Sequence, residues 1–147
     1  MRSVMLGAVI LAVAAINVPS AHAELLSKSY VFKSNVTLEL GAETSDGLRV
    51  DSVQFKLPAT VGESTSRVAG LTAAQVAISN IGESSKKVGV AIALFDDEGR
   101  LLGVASGGTS LAAIKGGRQK AYTLVFGNVN TQVHRATKFQ LSLESKP

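Results

Sequence analysis

The sequence predicts an all-β protein, an antiparallel β-sandwich of about seven or more strands. Short segments in which apolar and polar residues alternate recur along the chain, most clearly between Ala73 and Phe126. Such a period of two is typical of a strand with one buried face. Turn-forming residues separate these segments, and no long segment after residue 23 has the period of an amphipathic helix.

Two strand regions are predicted before the middle of the chain. Most even-numbered positions from Tyr30 to Leu40 are apolar, which predicts one long strand or two strands in register around Ser34-Asn35. The polar segment 41–47 ends in Asp-Gly and predicts a turn. The next apolar positions change parity at Asp51-Ser52, so we expect a β-bulge or kink there. Pro58 is expected to end this strand.

The central segments are predicted to be strands joined by turns. Residues 59–72 lack a sustained period and are rich in small polar residues, which predicts a loop or an irregular crossover. Greek-key sandwiches use connections of this length to move between sheets. Strands are expected at 74–78 and 88–94, separated by a polar turn. A hairpin turn at 95–100 should follow, with Gly99 at positive φ.

The last third of the chain continues the same alternation. The elements predicted there are a return strand at 101–106 ended by Gly107-Gly108, a turn at 115–118, a strand at 122–126, a polar connection at 127–135 and a last strand at 139–143.

The first 23 residues predict a secretory signal peptide. Arg2 provides a basic start, Val4 to Ile16 an apolar core, and Ala21-His22-Ala23 a cleavage site before Glu24. About 13 apolar residues are too few to span the hydrocarbon layer of a membrane. We therefore expect an exported, periplasmic or extracellular product with no transmembrane segment, in which residues 24–147 form a single sandwich domain.

Composition excludes several classes of site. There are no cysteines, which excludes disulfides, thiolate nucleophiles and cysteine metal sites. Without Arg2, 14 Lys and Arg residues stand against 11 Asp and Glu, so the mature net charge is near +3. These charges are dispersed along the sequence, which does not indicate a nucleic-acid groove.

Four features of the second half follow one another in a recognisable order. They are Asn80-Ile81-Gly82, the alternating strand Val88 to Leu94, the turn Phe95-Asp96-Asp97-Glu98-Gly99, and Gly116-Gly117 ahead of Tyr122 to Phe126.

This pattern, over about residues 72–144, resembles the FxLYD-type immunoglobulin-like domain of exported bacterial proteins. Ala93-Leu94-Phe95-Asp96 stands where that family has its aromatic-Leu-Tyr-Asp signature. The resemblance implies an immunoglobulin-like sandwich in an envelope or extracellular setting, and it implies no catalytic residues.

No constellation of catalytic residues is evident. His134 is the one histidine after the leader and lies in a polar connection, where a solvated loop residue is the favoured interpretation. Val104 to Gly108 lacks the first glycine of a Gly-x-Ser-x-Gly elbow. We expect no enzyme, no cofactor and no resident metal, and a small hydrolase is the least favoured function.

Three other groups of residues are candidate sites. Asp96, Asp97 and Glu98 offer oxygen ligands for calcium, although hairpin chemistry accounts for them and they lack EF-hand spacing. Lys115, Arg118 and Lys120, with Lys86 and Lys87, form a candidate basic patch for polyanions such as acidic glycans. The row Gly89, Ala91 and Ala93 would permit close approach by another backbone, with burial inside the domain favoured over contact with another subunit.

The sequence therefore predicts a non-enzymatic module that acts through an unidentified protein partner or self-association. The alternative is a carbohydrate or polyanion binder that uses its end loops.

Overall fold

The computed structural model describes residues 24–57, 71–109, 112–127, 129 and 132–146. The predicted leader and Pro58 lie outside these residues. The strands are β1 (Glu24–Val31), β2 (Thr37–Glu43), β3 (Leu48–Lys56), β4 (Thr72–Asn80), β5 (Lys87–Phe95), β6 (Leu101–Gly108), β7 (Arg118–Phe126) and β8 (Lys138–Lys146), and a short 3₁₀ helix, Val133–Arg135, precedes β8.

The eight strands form two antiparallel four-stranded sheets, which confirms the predicted β-sandwich. The first sheet has the order β1-β8-β5-β6 and the second β2-β3-β4-β7. The pairs β4–β7 and β5–β8 lie in opposite sheets, and each joins strands three apart in sequence, as the B–E and C–F pairs of immunoglobulin sandwiches do. The chain therefore crosses between sheets at several connections.

The segment before β4 does not make one of these crossings. Of the two predictions for residues 59–72, a loop or a crossover between sheets, the crossover is wrong because β3 and β4 are hydrogen-bonded neighbours in the second sheet. The crossings fall between β1 and β2, β4 and β5, β6 and β7, and β7 and β8. Connection length was a poor guide because a long loop can also join adjacent strands of one sheet.

Two local predictions about turns and bulges are confirmed. The register of β3 against β4 shifts between Val50 and Ser52, so a bulge absorbs the change of parity. In the β5–β6 hairpin Gly99 has φ of 78°, and its amide donates to the carbonyl of Asp96 at 3.1 Å.

Several predicted boundaries need correction. The region 30–40 holds the end of β1 and the start of β2, which belong to different sheets and are separated around Asn35, a residue with φ of 56°. Backbone pairing carries β2 on to Glu43 and β6 on to Gly108, so the glycines within them do not end the strands. The connection before β8, predicted to be polar, contributes buried Val129 and Val133 to the core.

An aromatic cluster joins the two sheets toward the end of the sandwich that holds the β5–β6 hairpin. Phe139 of β8 stacks on Tyr30 with ring centroids 5.3 Å apart and meets Phe55 of β3 edge-on at 4.9 Å. Phe32 packs against Phe55 at 4.7 Å. Because Phe55 and Phe139 are fully buried and come from opposite sheets, their contact fixes how the sheets face each other.

The edge strands β6 and β7 approach each other closely because β6 turns small residues inward. Its inward positions opposite Leu94, Ile92 and Val90 are Gly103, Ala105 and Gly107. A Cβ at Gly103 would overlap Val129, and one at Gly107 would lie 2.8 Å from Leu124 of β7. A side chain at Gly107 would therefore push β6 away from β7, and one at Gly103 would displace Val129 of the connection before β8.

Candidate functional site

A polar network ties the two sheets together at the end of the sandwich that holds the β2–β3 turn. Asp46 in that turn forms an ion pair with Lys86, whose Nζ lies 2.7 Å from Asp46 Oδ2. Thr44 Oγ1 donates to Asp46 Oδ1 at 2.5 Å, and Ser145 Oγ of β8 donates to Asp46 Oδ2. The Lys86 side chain is only 9 % exposed and that of Asp46 29 %, so the lysine charge is shielded from water while the carboxylate is partly accessible.

The network holds Asp46 in its ionised form. Burial acts to raise the pKa of Asp46, but hydrogen bonds from Lys86, Ser145 and Thr44, together with the positive charge of Lys86, lower that pKa to about 2. Glu24 at the start of β1 reaches the same turn, where it accepts from Ser45 N at 2.6 Å and Asp46 N at 3.0 Å. These contacts make a structural clamp with no free acid or base.

Asn80 secures the neighbouring turn at this end. Its side-chain amide donates to the carbonyls of Ser84 and Ile114 at 2.7 and 2.8 Å, and its Oδ1 accepts from Gly82 N at 3.1 Å. Asn80 is fully buried. Asn80 begins the Asn-x-Gly segment of the sequence, and these contacts show that its side chain organises the turn.

At the opposite end of the sandwich, arginine side chains bind the acidic residues of the β5–β6 hairpin. Asp96 is fully buried and accepts from Arg100 Nε at 2.8 Å and from an Arg135 guanidinium nitrogen at 3.0 Å. Its Oδ1 also accepts the Glu98 and Arg100 amides. Burial acts to raise the pKa of Asp96, but hydrogen bonds from Arg100 and the charges of both arginines lower it.

This arrangement accounts for the acidic residues without calcium. The carboxylate of Asp96 already has its partners, and Glu98 pairs with Arg100 at 2.8 Å. Among the residues that the structure describes, no three His, Cys, Asp or Glu side chains are grouped so that they could hold a metal ion. In the same part of the chain, no helix is long and apolar enough to cross a membrane.

The three residues of the predicted basic patch do come together. Lys115, Arg118 and Lys120 line one open depression of about 310 Å³, together with Ala113, Ile114 and Gln119. The Lys120 ammonium lies 5.5 Å from the centroid of the Tyr122 ring. We name this depression the basic hollow.

Neither Lys86 nor Lys87 lines the basic hollow, contrary to the prediction. The reason is clearest for Lys86. Its charge is buried against Asp46, so it cannot meet an external anion. The sequence could not distinguish it from exposed Lys87 because both lysines lie side by side before β5.

The one candidate catalytic residue lies at the surface. His134 is exposed on the 3₁₀ helix. Within the described part of the chain its side chain makes no hydrogen bond to a serine or carboxylate.

The row Gly89, Ala91 and Ala93 lies on the outer face of the first sheet and is half-buried. A trough of about 240 Å³ runs across this face at Gly89 and Ala91 and is bounded by Leu25, Ser106, Ser142 and Glu144. Leu25 is 69 % exposed at one side of it. The segment 24–29 belongs to β1, an edge strand of the same sheet, and so does not lie over the row.

The second sheet carries a polar cluster on its outer face that the sequence did not reveal. Asp51 accepts from Arg49 Nε at 2.7 Å, Ser79 Oγ at 2.5 Å and Gln119 Nε2 at 2.8 Å. Burial acts to raise the pKa of Asp51, but these hydrogen bonds and the charge of Arg49 lower it. The predicted bulge drew attention to Asp51 in the sequence. Its partners Ser79 of β4 and Gln119 of β7 could not be predicted, because they reach Asp51 only through the pairing registers of β3 with β4 and of β4 with β7.

In comparisons with protein-family models and with curated proteins, nothing matches this chain.

Proposed function

We propose that the protein is an exported, non-enzymatic β-sandwich that serves as an interaction or structural module of the cell envelope. The observation that carries this proposal is the outer face of the first sheet, where small residues form the floor of a trough. Leu25 and Val104 on the same face are 69 % and 54 % exposed. A face of this kind is typical of a surface that packs against another polypeptide.

The predicted signal peptide supports the export part of the proposal. Cleavage before Glu24 would leave β1 complete, including the Glu24 carboxylate that holds the β2–β3 turn. The resemblance to FxLYD-type domains supports an envelope setting. Intact-mass measurement of the secreted protein should give a chain that begins at Glu24.

Photocrosslinking tests the proposed contact face in cells that make the protein. A photoreactive amino acid at Ala91 should give a discrete higher-mass adduct because Ala91 lies at the floor of the trough. The matched control places the same amino acid at Thr123, an exposed position on β7 of the second sheet. Equal crosslinking from both positions, or none from Ala91, would contradict the proposal.

A screen for hydrolysis tests the non-enzymatic part. We expect no turnover above background from the purified protein. Turnover that disappears in the His134→Ala variant would overturn the assignment, since His134 is the candidate general base of the mature chain.

A second candidate function, polyanion binding, is favoured by the grouping of Lys115, Arg118 and Lys120 around the basic hollow. Three cations around one depression suit a sulfated or carboxylated glycan, because their charges act on the same ligand. The candidate shares the fold and location of the first proposal and differs in the surface that it uses.

Charge reversal provides the prediction for this second candidate. Replacing Lys115, Arg118 and Lys120 together with glutamate should reduce binding to heparin, used as a model polyanion, by at least about tenfold at low salt. Binding by the original protein should weaken steeply as salt rises, because exposed charges are screened. A triple substitution of Lys28, Lys138 and Lys146 on the first sheet has the same charge change and serves as the control. Equal loss in both variants, or no binding at low salt, would contradict this function.

A further inference from the structure

The four edge strands of the sandwich differ in how they are protected. β1, β2 and β7 each contain two charged residues, whereas β6 contains none. β2 also has a register irregularity between Glu39 and Ala42. Charges and bulges on edge strands discourage pairing with other chains. The regular part of β6, from Gly103 to Gly108, is therefore the least protected edge among the described strands.

The free edge of β6 exposes backbone hydrogen-bonding groups. Thr109 N donates to Val88 O at 2.8 Å, which marks Val88 and Thr109 as a hydrogen-bonded pair. Because such pairs alternate along an antiparallel ladder, Gly107, Ala105 and Gly103 turn their amides toward β5. The amides of Val104, Ser106 and Gly108 then point away from the sheet, toward the open side of β6.

The side chains beside this edge leave room for a large neighbour. On the outer face, Ser106 of β6 lies opposite Ala91 of β5, and Gly89 lies two residues before Ala91 on the same face. Gly89, Ala91 and Ser106 form the part of the trough nearest the edge. A strand added to β6 would place its own outer side chains beside them, and large side chains can reach diagonal neighbours in a sheet. The trough therefore fits bulky apolar side chains.

One charge marks the end of the trough. Glu144 of β8, Gly89 of β5 and Gly108 of β6 lie level across the first sheet. Glu144 is the only charged residue that lines the trough within the described residues. Its Oε1 pairs with Lys146 Nζ at 2.9 Å, while its Oε2 lies on the side of Gly89. A basic side chain on the added strand near Gly108 would complement this second oxygen.

We propose that β6 binds an extended segment of a partner protein, which pairs antiparallel to it as a fifth strand of the first sheet. The segment carries bulky apolar residues at alternate positions and a basic residue level with Gly108. A second copy of this chain fits less well, because its β6 would bring Val104, Ser106 and Gly108, too small to fill the trough. The inference rests on the proposed interaction function and specifies its partner.

Peptide titration tests the pairing directly. The probes are capped peptides of sequence Lys-Thr-X-Thr-X-Thr, in which each X is Leu, Phe or Tyr. Antiparallel pairing puts the peptide lysine beside Gly108 and the two X residues beside Ser106 and Val104. Binding should protect the amides of Val104, Ser106 and Gly108 from hydrogen exchange, which a peptide bound elsewhere would not do.

Two variants disrupt the edge without touching the core. Ser106→Pro removes an outward amide donor, and Val104→Lys places a charge on the edge. Each should weaken peptide binding by about tenfold or more. Ser29→Lys, on the opposite edge strand β1, is the matched control and should bind as the original protein does.

The experiments distinguish failure of strand pairing at β6 from failure of the proposed interaction function. Failure of every peptide to bind, equal binding by all variants, or a β6-dependent dimer in sedimentation experiments would overturn the inference. If the adduct from Ala91 persists in cells with Ser106→Pro, the contact face survives and the edge pairing is wrong. If Ala91 gives no adduct while the peptides bind at β6, the proposed function in cells fails and the edge pairing stands.

Discussion

Replacing Phe139 with alanine is expected to lower the free energy of unfolding by about 3–5 kcal/mol. The Phe139 ring is fully buried and contacts Tyr30 of its own sheet and Phe55 of the facing sheet. Its loss removes apolar contact area and leaves a cavity where the sheets meet. Since small domains unfold with about 5–15 kcal/mol, this one change would remove a large share of the stability.

Urea unfolding followed by far-ultraviolet circular dichroism measures this loss, which suits a chain without tryptophan. Tyr122→Phe is the control in the same core. The Tyr122 hydroxyl is buried, and no described residue forms a hydrogen bond with it; its removal should therefore be neutral or stabilising by about 1 kcal/mol. A loss below about 1 kcal/mol for Phe139→Ala would show that this contact does not hold the sheets together.

The fold class could be predicted because one property, the alternation of apolar residues, is set locally. Val88 to Leu94 have inward and outward faces as their sequence indicates, and the bulge near Asp51 follows from a change of parity in neighbouring residues. The sheet to which each strand belongs is not a local property. The apolar even positions of 30–40 gave no sign that β1 and β2 lie in different sheets, since both sheets face the same core.

The candidate sites also differ in whether they depend on local sequence or on contacts between distant residues. The cations at Lys115, Arg118 and Lys120 are close in sequence, so a turn and one strand suffice to bring them together. Asp46, Lys86 and Ser145 are far apart in sequence and meet only when the two sheets pack. The significance of the uncharged β6 likewise depends on its place at the edge of a sheet, which no segment reveals alone.

Replacing Asp46 with alanine is expected to destabilise the protein by about 3 kcal/mol near pH 7, mainly because Lys86 would keep a buried charge without a partner. The expected destabilisation is at the low end of the range of about 3–5 kcal/mol for breaking a buried ion pair, because the Asp46 side chain is 29 % exposed. The variant also loses the contacts of Asp46 with Thr44 and Ser145. Urea unfolding measures the change, and the double variant Asp46→Ala/Lys86→Met should recover much of it because no unpaired charge remains.

The dependence of this loss on pH identifies its cause. The folded protein holds the pKa of Asp46 at about 2, below its ordinary value of 3.8, so the ionised carboxylate stabilises the fold. This contribution is complete above the ordinary pKa and is lost as the pH falls toward the lowered value. The difference between the original protein and Asp46→Ala should therefore be constant from about pH 7 to 5 and shrink between about pH 4 and 2. A difference that stays constant down to about pH 2 would mean that Asp46 acts through packing rather than through its charge.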